Sequence, residues 1–224
     1  LEVGCASVTP ETASRDFKEA FAAFRGSDAA DASRYYGDGK SFWRRVIAHV
    51  LTRGGTDVID DTTIDLAVDK LYLHYEHPSA WHIAHGAVDA ARRLRRSGVR
   101  VVLASNWDSR LPTLLRTLGL DDEFDAIVFS ADIGVEKPSE EFFHAVARAA
   151  DVPAARCAHV GDAPVADVAG ARSAGFGVAV RWSPHPTDDD EPTAHDFNQL
   201  ADAVLSANRT LDARLSRFRV PPPP

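Results

Sequence analysis

From Gly86 onward, short apolar runs alternate with amphipathic helical stretches, and this pattern restricts the architecture more than any other feature of the sequence. The runs are Val99 to Ala104, Ala126 to Phe129, Cys157 to Val160 and Val178 to Trp182. Between them, Ala87 to Arg96, Ser109 to Leu118, Glu140 to Ala150 and Val165 to Ala174 each carry an apolar stripe at helical spacing. A strand buried on both faces reads as a continuous apolar run, and parallel neighbours need a crossover of helix length between them. The alternation therefore predicts an α/β fold, a parallel sheet with helices on both faces.

The stretch from Thr9 to His85 reads instead as helices with polar breaks. Thr9-Pro10-Glu11 supplies an N-cap, a first-turn proline and an acid that complements the helix dipole, and Phe17, Ala20, Phe21 and Phe24 follow at helical spacing. Phe42, Trp43, Val46, Ile47 and Val50 mark a second helix closing at Gly54-Gly55. Ile64, Ala67, Val68, Leu71 and Tyr72 mark a third, running up to Pro78. The expected organisation is a helical lobe over 1–84, an α/β core over 85–210 and a tail over 211–224 that ends in prolines. A frayed end accounts for that tail better than a proline-motif ligand does, and Asp188 to Pro192 reads as a solvated loop.

Charge and composition exclude several classes of partner. Lys and Arg number 25 against 33 Asp and Glu, a net charge of -8 with a pI near 5.5, so a nucleic-acid backbone would be repelled. No apolar run approaches the roughly 20 residues of a membrane-spanning helix, so no membrane partner is expected. Cys5 and Cys157 are too few for a disulfide framework, which points to a reducing compartment. A soluble intracellular protein of cytoplasm or nucleus is the expectation. The chain opens Leu1-Glu2-Val3 with neither an initiator Met nor a signal-peptide pattern, and the natural N-terminus is expected upstream. Organelle targeting and oligomeric state stay open.

In open parallel sheets, ligands bind beyond the carboxyl ends of the strands. The run Val99 to Ala104 leads into Ser105-Asn106 and a helix start, where a hydroxyl and backbone N–H groups suit an anion. Ala126 to Phe129 leads to Glu136-Lys137-Pro138-Ser139, with Ser139 placed to cap the next helix. Cys157 to Val160 ends in Gly161-Asp162, and Asp167 follows five residues later. Singly, each has a plain explanation in turn chemistry, a surface lysine or a helix start that welcomes carboxylates. Together, a hydroxyl, an ammonium and two carboxylates at one sheet edge match a phosphate bound beside a hard cation.

The ordered set Leu103-Ala104-Ser105-Asn106, Glu136-Lys137-Pro138 and Val160-Gly161-Asp162-Ala163-Pro164-Val165-Ala166-Asp167 resembles the second, third and fourth motifs of the haloacid dehalogenase-like hydrolase superfamily. The similarity extends through Trp107 to Leu111, Tyr36-Gly37-Asp38-Gly39 and Phe42-Trp43. It implies a Rossmann-like core with an inserted helical cap, and a Mg2+-dependent phosphatase of small phosphorylated substrates working through an aspartyl-phosphate. Carried over by motif, Ser105 and the Asn106 N–H would bind phosphoryl oxygens, and Lys137 would neutralise the charge of the transition state. Asp162 would ligate Mg2+, with Asp167 supporting the metal. Ala163 and Ala166 depart from the polar side chains often found at those positions. The superfamily's first motif, Asp-x-Asp-x-Thr, supplies nucleophile and acid–base aspartates from the first core strand, and these 224 residues do not contain it. A chain without it is expected to be inert. The resemblance also places the missing strand between those ending at Ser105 and Asp162, so an empty slot with these two unpaired is expected, the alternative being that Val99 to Ala104 and Cys157 to Val160 close up and pair directly. A metal-independent dehalogenase and a non-catalytic binding or scaffold protein are the alternatives.

Other candidates read as structural. Asp57 to Thr62 lacks the Asp-x-Asp spacing and follows no strand run. His74, His77, His82 and His85 have i, i+3 spacing but no carboxylate or Cys to complete a metal set. Arg92, Arg93, Arg95 and Arg96 read as a solvated helix face, and Cys157 as a small core residue.

Overall fold

The computed structural model describes residues 9–26, 39–53, 59–185 and 193–216. Cys5, Tyr36 to Asp38, Gly54 to Val58, Asp188 to Pro192 and the final prolines lie outside the described residues. In chain order the elements are α1 (Pro10–Gly26), α2 (Lys40–Arg53), α3 (Asp61–Glu76), α4 (Ala87–Arg96), β1 (Val102–Ser105) and α5 (Leu111–Thr117). They continue with β2 (Ala126–Phe129), the single turn α6 (Ser130–Ile133), α7 (Glu140–Ala150), β3 (Ala158–Gly161), α8 (Gly170–Ser173), β4 (Val178–Trp182), β5 (Thr193–Ala194) and α9 (Phe197–Ser216). A π-helical turn, Pro164–Ala169, leads into α8.

The chain separates into two compact units. One comprises Leu1–His82, Asn106–Gly119 and Phe129–Gly134; the other comprises Ile83–Ser105, Leu120–Val128 and Val135–Pro224.

In the first unit, the Thr9 hydroxyl accepts from the Thr12 N–H at 3.3 Å while the Thr9 N–H donates to the Thr12 hydroxyl at 3.0 Å, a reciprocal cap at the start of α1. Ala20, Phe42 and Val46 are buried between α1 and α2, with Phe21, Phe24 and Trp43 packed around them. Arg44 pairs with Asp61 at 2.8 Å and Asp65 at 2.6 Å, tying α2 to α3. Asp60 caps α3 by accepting from the Thr63 N–H at 2.7 Å, a helix-capping role for this one aspartate. His77 accepts from Ser79 to shape the turn after α3.

In the second unit, β3 and β4 pair in parallel with Ala158 opposite Val178 and Gly161 opposite Arg181, and β5 adds to β4, also in parallel. β1 and β2 form a separate two-stranded sheet. Among the described residues, β1 and β3 do not pair, as the resemblance predicted. Phe142 and Phe143 of α7 are completely buried, and Val168, Ala171 and Phe176 extend this core. The α4 arginines differ from a merely solvated face. Arg92 grips Glu123 through Nε at 2.9 and 3.0 Å, Arg95 reaches Asp125 at 3.1 Å, and Arg93 pairs with Asp202 of α9. They join α4 to the elements it packs on. Cys157 is buried and has no disulfide partner among the described residues, and burial pushes its thiol pKa up.

Candidate functional site

Three motif residues meet where β1 and β3 of the second unit end. Lys137, on the approach to α7, donates from Nζ to Asp167 Oδ1 at 2.6 Å and to the Ala104 carbonyl at 3.2 Å. Ala104 immediately precedes Ser105, the half-buried last residue of β1. Lys137 thus joins the end of the first motif-bearing strand to the loop after β3. The next helix begins as expected, with Ser139 accepting from the Glu141 N–H at 3.3 Å. Asn106 belongs to the first unit's share of the chain.

Asp167 is 3% exposed and sits in the π-helical turn after β3. Its Oδ1 is shared by Lys137 and by His159 Nε2 at 3.0 Å, and its Oδ2 accepts from the Ala163 N–H at 3.0 Å. Burial by itself would raise the carboxyl pKa. Hydrogen bonds from His159 and Lys137, the lysine charge and the Ala163 N–H outweigh it and hold the group far below the usual carboxylate range. Gly161 makes room for this arrangement, because a Cβ there would come within 2.6 Å of Asp167 Cβ and closer still to its carboxylate.

Asp162 differs in every respect. Its side chain is exposed at the mouth of the same loop. No cluster of three or more His, Cys, Asp or Glu residues is gathered for a metal among the described residues. Mg2+ commonly takes only one or two protein carboxylates and completes its shell with water and phosphate oxygens, so Asp162 suits it as a hard oxygen donor. The Asp167 carboxylate has its oxygens engaged by protein donors.

His159 was not among the sequence candidates. It is a lone polar residue in the apolar run Cys157 to Val160, and a buried polar group normally has a partner. That was the available signal. In the first unit, Asp108, 7% exposed, holds Arg110 through paired bonds at 3.0 and 2.8 Å, and the guanidinium lies 3.8 Å from the centre of the Tyr72 ring.

Parallel strands flanked by helices, with these motif residues at the strand ends, define a Rossmann-like α/β protein. The family model described as haloacid dehalogenase-like hydrolase matches residues 5–175, and the chain belongs to that family. Among its relatives is the human haloacid dehalogenase-like hydrolase domain-containing protein 3, 29% identical over 198 residues that cover 87% of this chain and 78% of the relative. The cattle (Bos taurus) protein of the same name is 30% identical over 164 residues, covering 71% of this chain. That match spans 64% of the bovine relative, a little under two thirds of its length. The fold is also that of the putative hydrolase YfnB from Bacillus subtilis, solved bound to magnesium. Its TM-score is 0.66 at 20% identity, covering 88% of this chain and 83% of the other. No helix among the described residues is long and apolar enough to cross a membrane.

Proposed function

We propose that this chain carries the phosphate- and cation-binding side of a Mg2+-dependent phosphatase for small phosphorylated metabolites. The observation that carries the reading is Lys137 reaching both Asp167 and the Ala104 carbonyl, which supports a shared site for motifs 33 and 30 residues apart in sequence. In this reading the Ser105 hydroxyl and the Asn106 N–H donate to phosphoryl oxygens. The Lys137 ammonium offsets the charge that builds on them as the leaving group departs. Asp162 would hold Mg2+, which when bound supplies Lewis-acid stabilisation of the phosphoryl oxygens. Asp167 supports the site by holding the lysine.

Covalent phosphoryl transfer needs a nucleophile, and the 224 residues contain no Asp-x-Asp-x-Thr sequence. The chain alone is expected to give no turnover of p-nitrophenyl phosphate with Mg2+, and the same residues preceded by a strand ending in that motif are expected to gain it. In that form Lys137→Ala should lower kcat by about 100-fold or more, as removal of one electrostatic stabiliser does. Mg2+-dependent turnover by the 224 residues, abolished by Asp162→Asn, would show that the inertness is wrong.

One observation favours a metal-independent dehalogenase instead: the Asp167 carboxylate is engaged by Lys137, His159 and the Ala163 N–H. Halide release from a 2-haloacid by the motif-restored protein, with no phosphate release, would select that reading.

A further inference from the structure

We propose that His159 is a positioning residue. Its Nε2–H fixes the Asp167 carboxylate, and Asp167 in turn fixes the Lys137 ammonium at the strand ends. As a claim about catalysis this rests on the function proposed above. As a claim about the lysine it stands on the contacts alone.

His159 is 7% exposed in β3, a strand that otherwise presents small or apolar side chains. Its ring stands edge-on to Phe143 at 5.1 Å and to Phe176 at 6.4 Å, and those two rings lie 5.4 Å apart. A phenylalanine would occupy such an aromatic box as well. Imidazole adds a nitrogen aimed at Asp167 Oδ1, 3.0 Å away. An ionised carboxylate only accepts hydrogen bonds, so the proton lies on Nε2 and His159 donates.

The consequence falls on Lys137. A lysine is a point charge on a flexible stem with many rotamers, and its placement depends on what holds its end. Here its charged partner is Asp167 Oδ1, the oxygen that His159 also grips, with the Ala104 carbonyl as a second, weaker acceptor. Asp167 stands in a π-helical turn where both its own N–H and that of Val168 reach back to the Ala163 carbonyl, at 2.9 and 3.3 Å. Irregular backbone of this kind offers less restraint than a regular helix. With His159 in place, three donors surround the carboxylate and set its plane. Without it, the carboxylate keeps only the lysine it is meant to position and one backbone N–H.

The test compares His159→Phe, which keeps the ring but not the donor, with His159→Gln, which keeps an N–H donor. The chain has four lysines: Lys18, Lys40, Lys70 and Lys137. Each is followed by mass spectrometry during acetylation with limiting acetic anhydride, so the other three report any general loosening. The expected result is Lys137 acetylation about tenfold faster in His159→Phe, the factor matching one lost hydrogen bond to a charged group. Lys18, Lys40 and Lys70 should keep their rates, and His159→Gln should return Lys137 to near the wild-type rate. An unchanged Lys137 in the Phe variant, equal acceleration of all four lysines, or a Gln variant as reactive as Phe would each overturn the proposal. So would a nitrogen-15 NMR spectrum of the wild-type chain placing the His159 proton on Nδ1 alone, a measurement that holds even if a variant does not fold. The expected pattern here, together with a motif-restored protein that hydrolyses no phosphate ester, would overturn the phosphatase reading and still support the role of His159.

Discussion

Gly161→Ala is the smallest change that should dismantle the lysine–aspartate centre. Gly161 closes β3 opposite Arg181 and has no left-handed backbone angle, so a side chain is excluded there by space alone. A Cβ would stand 2.6 Å from Asp167 Cβ and closer still to its Cγ and Oδ2, so Asp167 must retreat by more than about 0.8 Å to restore ordinary contact near 3.4 Å. Its hydrogen bonds measure 2.6 to 3.0 Å, and a retreat of that size takes at least two of them beyond useful length. Hydrogen bonds to charged groups contribute about 1.5–3 kcal/mol each, and breaking a buried ion pair typically costs about 3–5 kcal/mol. The expected loss is therefore about 3–5 kcal/mol, read as a lower urea midpoint at unchanged m-value. Asp167→Gly removes the side chain that the new methyl meets, so the two changes should be strongly non-additive. The double variant should be little less stable than Asp167→Gly alone. A Gly161→Ala protein within about 0.5 kcal/mol of wild type, the range of ordinary surface changes, would refute the reasoning, and so would simple additivity.

Two further outcomes follow from charges held in fixed places. Asp167 has a depressed folded-state pKa, so its contribution to stability is complete above its unfolded value near pH 4 and is lost as the pH falls below that. The stability gap between wild type and Asp167→Asn, measured in urea, should narrow from pH 7 to pH 3, and a constant gap would contradict the assignment. Arg110→Lys forfeits the paired bonds to buried Asp108 and the stacking on Tyr72, and should cost about 2 kcal/mol. An unchanged urea midpoint would show that the pair contributes nothing.

Some elements were legible to the residue and others were not, for physical reasons that differ. β2, β4, α4 and α7 have the bounds that their apolar runs and stripes set, because burial on one or both faces writes itself directly into hydrophobic period. β1 starts at Val102, later than the apolar run, because the chain is still turning there. The Val99 N–H bonds back to the Leu94 carbonyl, and the Val101 N–H is taken by Asp125. α9 was not foreseen. Leu200 and Ala201 are buried, but the helix is held in part by Asp202 pairing with Arg93 of α4, a contact spanning 109 residues. The apolar stripe of Val165 to Ala174 marked a helix, and what periodicity did not register is that its first part, Pro164 to Ala169, is a π-helical turn and only Gly170–Ser173 is α-helical.

The site shows the same division between what is local and what is not. Ser105, Lys137, Asp162 and Asp167 could be selected because motif order lies along the chain, whereas the different environments of the two aspartates could not. Gly161-Asp162 and Asp167 look like a matched pair of carboxylates in sequence. In space, one is exposed at the loop mouth and the other is 3% exposed and committed to a lysine 30 residues away. Spacing cannot separate them, because the difference comes from what β1 and α7 bring to the turn after β3. His159 was the one local clue. A histidine inside an apolar strand must satisfy its ring nitrogen or bear the cost of an unpaired buried polar group, and the carboxylate that serves it here is Asp167, the partner of Lys137. That requirement points to the three residues as one unit, in which the strand's misfit side chain helps explain why the aspartate turns inward.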